Sequence, residues 1–387
     1  MRKIRVFQVS KLYYPWIGGV ETVVQDIAEG LNDKVDMEVL VCQPKGQGEC
    51  ELINRVKVTK TSSLGIYFSM PVSITFPFLL AWKSRKADIL HFHLPFPLGV
   101  LSYLLMGSKR KKMVVSYHFD IVRQKKLLKY YRFFLHQFLK RANVILATSP
   151  KLIESSEHLR LYKNKCIIVP YSIDLNEFIY FVKREFNLGV SPHERIVLFV
   201  GRLIYYKGLE YLIEAMQDVE AKLLIVGEGV MRDELEVRAK TLGVDHKIIF
   251  LGKVSDEKLK YCYQICDLFV LPSVESSEAF GIVQMEAMAY GKPIINTSLP
   301  TSVPYVSVNG ETGITVSPKD SKALGEAINE ILKNKELSSK FSKNALRRVR
   351  EKFSREKMLE LIYSIYDDLM KQNIFGSNEK NSLNLPK

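Results

Sequence analysis

A chain of 387 residues, 47% of them hydrophobic, can bury the cores of two domains of ordinary size, which excludes wholesale disorder. Its five cysteines, Cys42, Cys50, Cys166, Cys262 and Cys266, are odd in number and lack metal-ligand spacing. That excludes a disulfide scaffold and fits a reduced, cytosolic setting. The net charge of +14 is lopsided: residues 1–170 carry 27 Lys+Arg against 12 Asp+Glu, and residues 171–387 carry 29 against 30.

The opening MRKIRVFQVS reads as a short strand; it lacks the charged head and long apolar core of a signal peptide. Gly18-Gly19 follows it and opens the helix TVVQDIAEGLN. By itself that pair suits a flexible surface loop as well as a ligand loop. MEVLVC, DILHFH, KMVVSYH and NVILATS are further apolar runs, with helical stretches between them. The uncharged run Thr61 to Trp82 is interrupted by Pro71, Pro77 and four serines, so we read it as a loop and a buried helix rather than a membrane span. His91 and His93 end one strand and His118 ends another. With no third ligand nearby in sequence, His91 and His93 read as core or cleft-lining residues rather than a metal site.

Between Gly107 and Arg141 stand eleven basic residues and one acid, Asp120. In the helix expected over Arg123 to Arg141, Leu127, Leu128, Tyr131, Phe134, Leu135, Phe138 and Leu139 recur at helical spacing, with Lys125, Lys126, Lys129, Arg132 and Lys140 between them. Two readings stand. One is a basic amphipathic helix on an anionic membrane surface; the other is an ordinary surface helix packed on its own domain. Nucleic acid is disfavoured as a partner, because no nucleic-acid module accompanies the charge.

The stretch Tyr171 to His193 is polar and reads as a linker. Beyond it RIVLFVGR, KLLIVGEG, KIIFLG, DLFVLPS and PIINTS alternate with helical segments. Continuous apolar strands alternating with helices, twice over, predict an α/β chain of two doubly wound, Rossmann-like domains. Ligands of such sheets bind at the carboxyl ends of strands, here in the cleft across which the domains would face. The expected spans are 1–175 and 176–354, then a helix at about 355–372 and a disordered tail at 373–387.

Candidate site residues fall at those strand ends. Arg202 and Lys207 follow RIVLFV, and Gly227 and Gly229 end the next strand, near where a nucleotide would lie. Two cations facing a cleft suit a departing diphosphate. From Pro272 to Pro293 the order is polar loop, Phe280-Gly281, then the helix IVQMEAMAY, closed by Gly291 and Pro293. A helix N-terminus beside a glycine is a phosphate site, and Glu278 and Glu286 could hold hydroxyls on either side of it. The alternative makes Glu278 a surface loop residue and Glu286 a solvated helix residue, although Met285, Ala287 and Met288 around Glu286 suit an unpaired charge poorly.

Glu278, Ala279, Phe280, Gly281, then Glu286-Ala287-Met288-Ala289, Gly291 and Pro293 resemble the signature of the retaining glycosyltransferases of family 4 (glycosyl transferases group 1), which have the GT-B architecture. The resemblance covers nearly the whole chain and is stronger in the second half. It implies that Glu278 contacts donor-sugar hydroxyls, that Glu286 holds the ribose, and that the N–H groups of Phe280, Gly281 and Ile282 face the diphosphate. Gly18 and Gly19, in G-G-V-E, would lie over the diphosphate near the acceptor, and His118 beside the donor sugar. Arg202 and Lys207 match G-R-x-x-x-x-K-G, with Ile204, Tyr205 and Tyr206 in place of the usual acidic or polar residues. Leu251 to Leu259 resembles the segment that touches the base, and the last helix would cross back to the first domain.

The implied activity moves a hexose, mannose or glucose, from a GDP- or UDP-sugar to a sugar or lipid-linked acceptor, with retention by front-side attack. There is no D-x-D, so Arg202, Lys207 and the helix N-terminus would replace a metal, and no cofactor is expected. The setting would be cytoplasmic, with at most a peripheral place on the inner membrane face. SLPTSVP, Ser298 to Pro304, resembles the L-P-T-G-V-P subgroup of surface-polysaccharide pathways, with Ser302 in place of glycine. The rivals are a GT-B epimerase, which would not need the Glu278 to Glu286 block, a phosphorylase, which would bring a lysine-bound cofactor, and a degenerate sugar-nucleotide-binding protein. The joint presence of Arg202, Lys207, Glu278 and Glu286 argues against the last.

Overall fold

Runs such as IVLFV, ILHFHL and VILA bury every residue, which requires cover on both faces, and each is a strand of a parallel sheet. The structure, a computed structural model, describes residues 2–16, 18–67, 70–107, 111–120, 125–178 and 182–371. The side chains of residues 125–129, Arg123 and the tail at 373–387 lie outside that description. The chain forms two compact units: Met1–Ala147, Ser156–Val169 and Met358–Lys387 make unit 1, and Thr148–Ser155 with Pro170–Lys357 make unit 2. Thr148–Ser155 lies with unit 2 because Ser302 Oγ bonds Thr148 Oγ1 at 3.0 Å and Ser149 Oγ at 2.7 Å.

Unit 1 runs β1 (Arg5–Val9), α1 (Gly19–Leu31), β2 (Asp36–Cys42), β3 (Glu49–Ile53), β4 (Val56–Thr61), β5 (Ile66–Tyr67), β6 (Met70–Pro71), α2 (Phe76–Ser84), β7 (Ile89–Leu94), α3 (Pro97–Met106), β8 (Lys112–Tyr117), α4 (Lys125–Arg141), β9 (Val144–Ala147) and β10 (Cys166–Ile168). Its sheet has the order β10-β9-β8-β7-β1-β2-β4-β3, and only β3 pairs antiparallel. In unit 2, α5 (Pro150–Ser155) comes first. Then follow β11 (Ile196–Val200), α6 (Leu209–Ala215), β12 (Lys222–Val226), α7 (Arg232–Thr241), β13 (Ile248–Gly252), α8 (Asp256–Ile265), β14 (Leu268–Leu271), α9 (Ile282–Ala289), β15 (Ile294–Thr297), α10 (Val303–Val306), β16 (Gly313–Val316), α11 (Ser321–Lys333) and α12 (Lys335–Lys352). Its six parallel strands stand in the order β13-β12-β11-β14-β15-β16. Tyr171, read from sequence as the start of a linker, is instead buried in unit 2 against the Phe280 ring at 4.8 Å. The last helix, α13 (Arg355–Met370), buries Met358, Ile362, Ile365, Tyr366 and Leu369.

Two helices of unit 1 bear on expectations from the sequence. On α4, Leu135, Phe138 and Leu139 are buried, and Phe138 meets Phe92 at 5.0 Å and Tyr103 at 5.5 Å. This part of the apolar face is therefore core of its own domain. The helix within Thr61 to Trp82 is not buried as expected: α2 buries Phe76, Leu80 and Ser84 on one side and exposes Phe78 and Trp82 on the other.

The core of unit 1 holds three imidazoles, His91 stacked on His93 at 4.5 Å and His93 on His118 at 5.3 Å. His91 Nδ1 meets Tyr366 Oη at 2.6 Å, and its Nε2 meets Ser116 Oγ at 2.8 Å. His93 bonds Gln8 Oε1 at 3.0 Å through Nε2, and His118 Nε2 at 3.1 Å through Nδ1. Gln8 Nε2 donates to Met37 Sδ, so Gln8 Oε1 accepts from His93. His93 Nδ1 then accepts from His118 Nε2–H, which fixes both tautomers. Burial pushes His91 and His118 down to about 3, and His93 well below its ordinary value.

These imidazoles are neutral when folded, whereas the unfolded chain protonates them near pH 6.5. Their contribution is complete above about pH 6.5 and is lost as pH falls toward 3. Each should therefore lower stability by up to ~1.4 kcal/mol per pH unit within that window. Urea unfolding at pH 7.5 and at pH 5 measures this; a midpoint unchanged between the two would contradict three buried neutral rings.

Candidate active site

In unit 2 the strand order reverses between β11 and β14: β12 and β13 lie on one side, β15 and β16 on the other. Loops leaving neighbouring strands diverge at such a point and open a crevice at their carboxyl ends. The loop after β11 carries Arg202 and Lys207, and the loop after β14 carries Glu278. The two loops are joined by backbone. Val274 N–H donates to Tyr206 O at 2.9 Å. Gly208, at φ 67°, lies so close to Pro272 that a Cβ there would stand 2.2 Å from the Pro272 oxygen. Only glycine fits both the left-handed backbone and that approach.

The junction brings together two residues that the sequence assigned to different parts of a donor. Lys207 Nζ bonds Glu278 Oε2 at 2.5 Å, and Ser273 Oγ donates to the same oxygen at 3.0 Å. Both ends of the pair are buried. Lys207, expected to face the cleft beside Arg202, is buried and paired with Glu278, and Glu278 is not a surface loop residue. Arg202 is the exposed cation of this loop, its guanidinium donating to Tyr206 Oη at 3.2 Å.

Past Glu278 the chain turns through Gly281, at φ 75°, directly into α9, whose N-terminus has no side-chain cap. The Phe280 ring is core, packed on Tyr171 and, at 6.2 Å, on Phe353, which leaves its backbone as the part that can serve a ligand. Two buried amides seat the helix: Asn296 Nδ2 donates to Gln284 Oε1 at 2.9 Å, and Gln284 Nε2 donates to Phe280 O at 3.3 Å. Glu286 lies on α9 and accepts from Tyr263 Oη at 2.7 Å. Burial raises its carboxyl above the usual range, although the Tyr263 bond and Lys260 pull the other way. Sequence reasoning missed Ser273 and Tyr263. Tyr263 had a weak signal, an aromatic hydroxyl on a helix beside the strand leading into the motif.

Gly227 and Gly229 have a backbone reason to be glycine. A Cβ on Gly227 would stand 2.0 Å from Gly201 O, and one on Gly229 2.2 Å from Leu203 O. Gly201 N–H bonds Val226 O, and Leu203 N–H bonds Glu228 O. These glycines let the ends of β11 and β12 close on each other. Cys262 and Cys266 are buried thiols, pushed up by burial to about 11 and about 12.

Unit 1 has its own reversal of order, between β1 and β7. Gly18 and Gly19 follow β1 and start α1, and Gly18 caps that helix in extended backbone. Glu21 in the first turn is buried, with Lys11 Nζ 3.6 Å from its Oε1. His118 directly follows β8 and donates through Nε2 to His93 Nδ1.

A family model described as Glycosyltransferase Family 4 matches residues 17–177, and one described as Glycosyl transferases group 1 matches residues 183–348. The O-antigen chain mannosyltransferase C of Escherichia coli is 30% identical over 371 residues, 95% of this chain and 99% of the relative. The D-rhamnosyltransferase WbpZ of Pseudomonas aeruginosa is 32% identical over 360 residues, 91% and 92% of the two chains. Among solved structures, the fold resembles sucrose-phosphate synthase from Thermosynechococcus elongatus, with TM-score 0.76 and 21% identity over 96% of this chain and all of that one. It also resembles a glycosyltransferase from Rickettsia africae, with TM-score 0.75 and 20% identity over the same shares. Two doubly wound α/β units of this kind define the GT-B class of glycosyltransferase. The chain belongs to the glycosyl transferases group 1 family.

Removing one partner of a buried ion pair strands the other charge. Lys207→Ala should therefore destabilise unit 2 by about 3–5 kcal/mol. The double variant Lys207→Ala/Glu278→Gln should recover part of that loss, since a neutral amide needs no counter-ion. Urea unfolding of wild type, single and double variants decides it; a fully stable single variant would mean that Lys207 is not held as described.

Proposed function

We propose that this glycosyltransferase is retaining and metal-independent, and that it moves a hexose from a GDP- or UDP-sugar to a sugar or lipid-linked acceptor. Mannose is the first choice of sugar, with glucose the alternative. The observation that carries the reading is the buried Lys207–Glu278 pair on the loop that leads through Gly281 into the uncapped α9. It combines a rigidly held carboxylate for sugar hydroxyls with N–H groups for a diphosphate. The choice of sugar rests on the relatives, whose names are mannosyl- and D-rhamnosyltransferase; D-rhamnose is the 6-deoxy form of mannose, so both names share one ring stereochemistry.

In this reading the bond from the sugar's anomeric carbon to the phosphate oxygen breaks, and its electron pair leaves with the diphosphate. The acceptor hydroxyl attacks from the face being vacated, and its proton passes to the departing phosphate oxygen. The protein stabilises charge and fixes position. Arg202, exposed and steadied by Tyr206, takes the charge that builds on the diphosphate. Glu286, whose carboxyl is raised by burial, gains from the donor bonds of ribose hydroxyls. His118 and the Gly18-Gly19 loop keep the donor-sugar and diphosphate roles that the resemblance implies. The basic outer side of unit 1, with Arg132 and Lys140 exposed on α4, meets an anionic membrane surface and so approaches a lipid-linked acceptor. No helix among the described residues is long and apolar enough to cross a membrane.

Arg202→Ala should lower turnover by ~10² or more at saturating donor, while its unfolding midpoint stays within about 0.5 kcal/mol of wild type because the side chain is exposed. Near-normal turnover would remove Arg202 from the diphosphate site.

In a thermal-shift panel of GDP-mannose, GDP-rhamnose, UDP-glucose and ADP-glucose, one donor should raise the melting temperature, because it binds the native state alone. With that donor, activity in EDTA should equal activity with added magnesium, and NMR of the product should show the donor's anomeric configuration. Strict metal dependence or an inverted product would overturn the mechanism.

A further inference from the structure

The uncharged run from Thr61 to Trp82 ends in a helix that is apolar on both sides, and the fold buries only one of them. Phe76 and Leu80 go into the core. On the opposite side Ile74, just before the helix, then Phe78 and Trp82 follow at intervals of four and are 69%, 61% and 56% exposed. The stripe continues into Arg85 and Lys86, both exposed. Lys86 Nζ stands 5.5 Å over the Trp82 ring, and Lys111 Nζ bonds the carbonyls of Arg85 and Ala87 at 2.8 and 2.6 Å. A monomer rarely leaves such a row in water, and an apolar row ending in cations marks an interaction surface.

We infer that this outer face of α2 docks on an anionic lipid surface, with Phe78 and Trp82 entering the headgroup boundary and Arg85, Lys86 and Lys111 meeting the phosphates. Charge complementarity selects this occupant. The half of the chain that carries the stripe has a balance of +15, and it bears a tryptophan with the exposed Lys86 beside its ring, the residue types that settle at a membrane interface. The element is too short to span a bilayer and is suited to lie in its surface. The inference deepens the membrane reading above and rests on it, but assigns the contact to α2, whereas that reading used α4, whose apolar side is partly spent on the core.

The chain has two tryptophans, Trp16 and Trp82, so Trp16→Phe leaves Trp82 as the sole reporter. With vesicles containing phosphatidylglycerol, its emission should shift to the blue and be quenched by lipids brominated on the acyl chains. Vesicles of phosphatidylcholine alone should do neither, and added salt should weaken the response. In the wild-type background Trp82→Phe should abolish most of the quenching, and Phe78→Asp, a change on an exposed side chain, should weaken vesicle binding by roughly tenfold or more. Binding without quenching of Trp82 would overturn the assignment to α2 and leave the membrane reading with α4. No binding to anionic vesicles at low salt would overturn both. A concentration-dependent dimer abolished by Phe78→Asp, with no response to lipid, would give the face to a second copy of the chain.

Discussion

The ion pair between Lys207 and Glu278 is the constraint on which the second unit's site depends. It links loops that leave the two central strands where the chain order reverses. A lysine and a glutamate withdrawn from water are costly unless they meet each other and their remaining polar atoms are satisfied. Ser273 supplies part of that satisfaction, and the backbone contacts at Gly208 and Val274 hold the two loops at the distance the pair requires. The orientation of α9 follows, because the chain reaches it only a few residues beyond Glu278. A carboxylate already bonded on one oxygen is also a fixed target for a ligand, with little rotamer freedom left to lose on binding.

Unit 1 solves a related problem by different means. Its sheet passes three histidines through the core, and there the answer is neutrality rather than pairing of charges. His93 accepts from His118 and donates to the Gln8 amide, while His91 stacks on His93 and stands between the Ser116 and Tyr366 hydroxyls. The two units thus keep polar groups inside an α/β core, one with a charged pair and one with neutral rings that are stacked and hydrogen-bonded. Both arrangements are sensitive to the loss of a single member.

Most of the fold was legible because it is written locally. IVLFV and VILA can be little other than strands covered on both faces, and Gly281 before an apolar helical run marks the helix start. The candidate site residues can be assigned to the loops after particular strands from the sequence, but their partners cannot. Lys207 and Glu278 are 71 residues apart, and what brings them together is strand order, which no local pattern records. The same holds for Tyr263 beneath Glu286 and for Gln8 behind His93. Gly227 and Gly229 read as ligand glycines because two requirements, room for a ligand and room for a neighbouring strand, leave the same residue. The face of α2 was misread because its apolar composition is alike on both sides, and only the packing shows which side found cover.

The bond between His91 and Tyr366 spans 275 residues, and this bears on how the protein is made. A ribosome adding 5–20 residues per second needs roughly 14–55 s to pass from one to the other. For that interval the first sheet can assemble its strands, yet one of its central imidazoles lacks the hydroxyl that will satisfy it. Unit 1 is therefore the first to begin and among the last to finish. Translation of the whole second unit intervenes, and the nascent first half must remain soluble through it without the helix that completes its core.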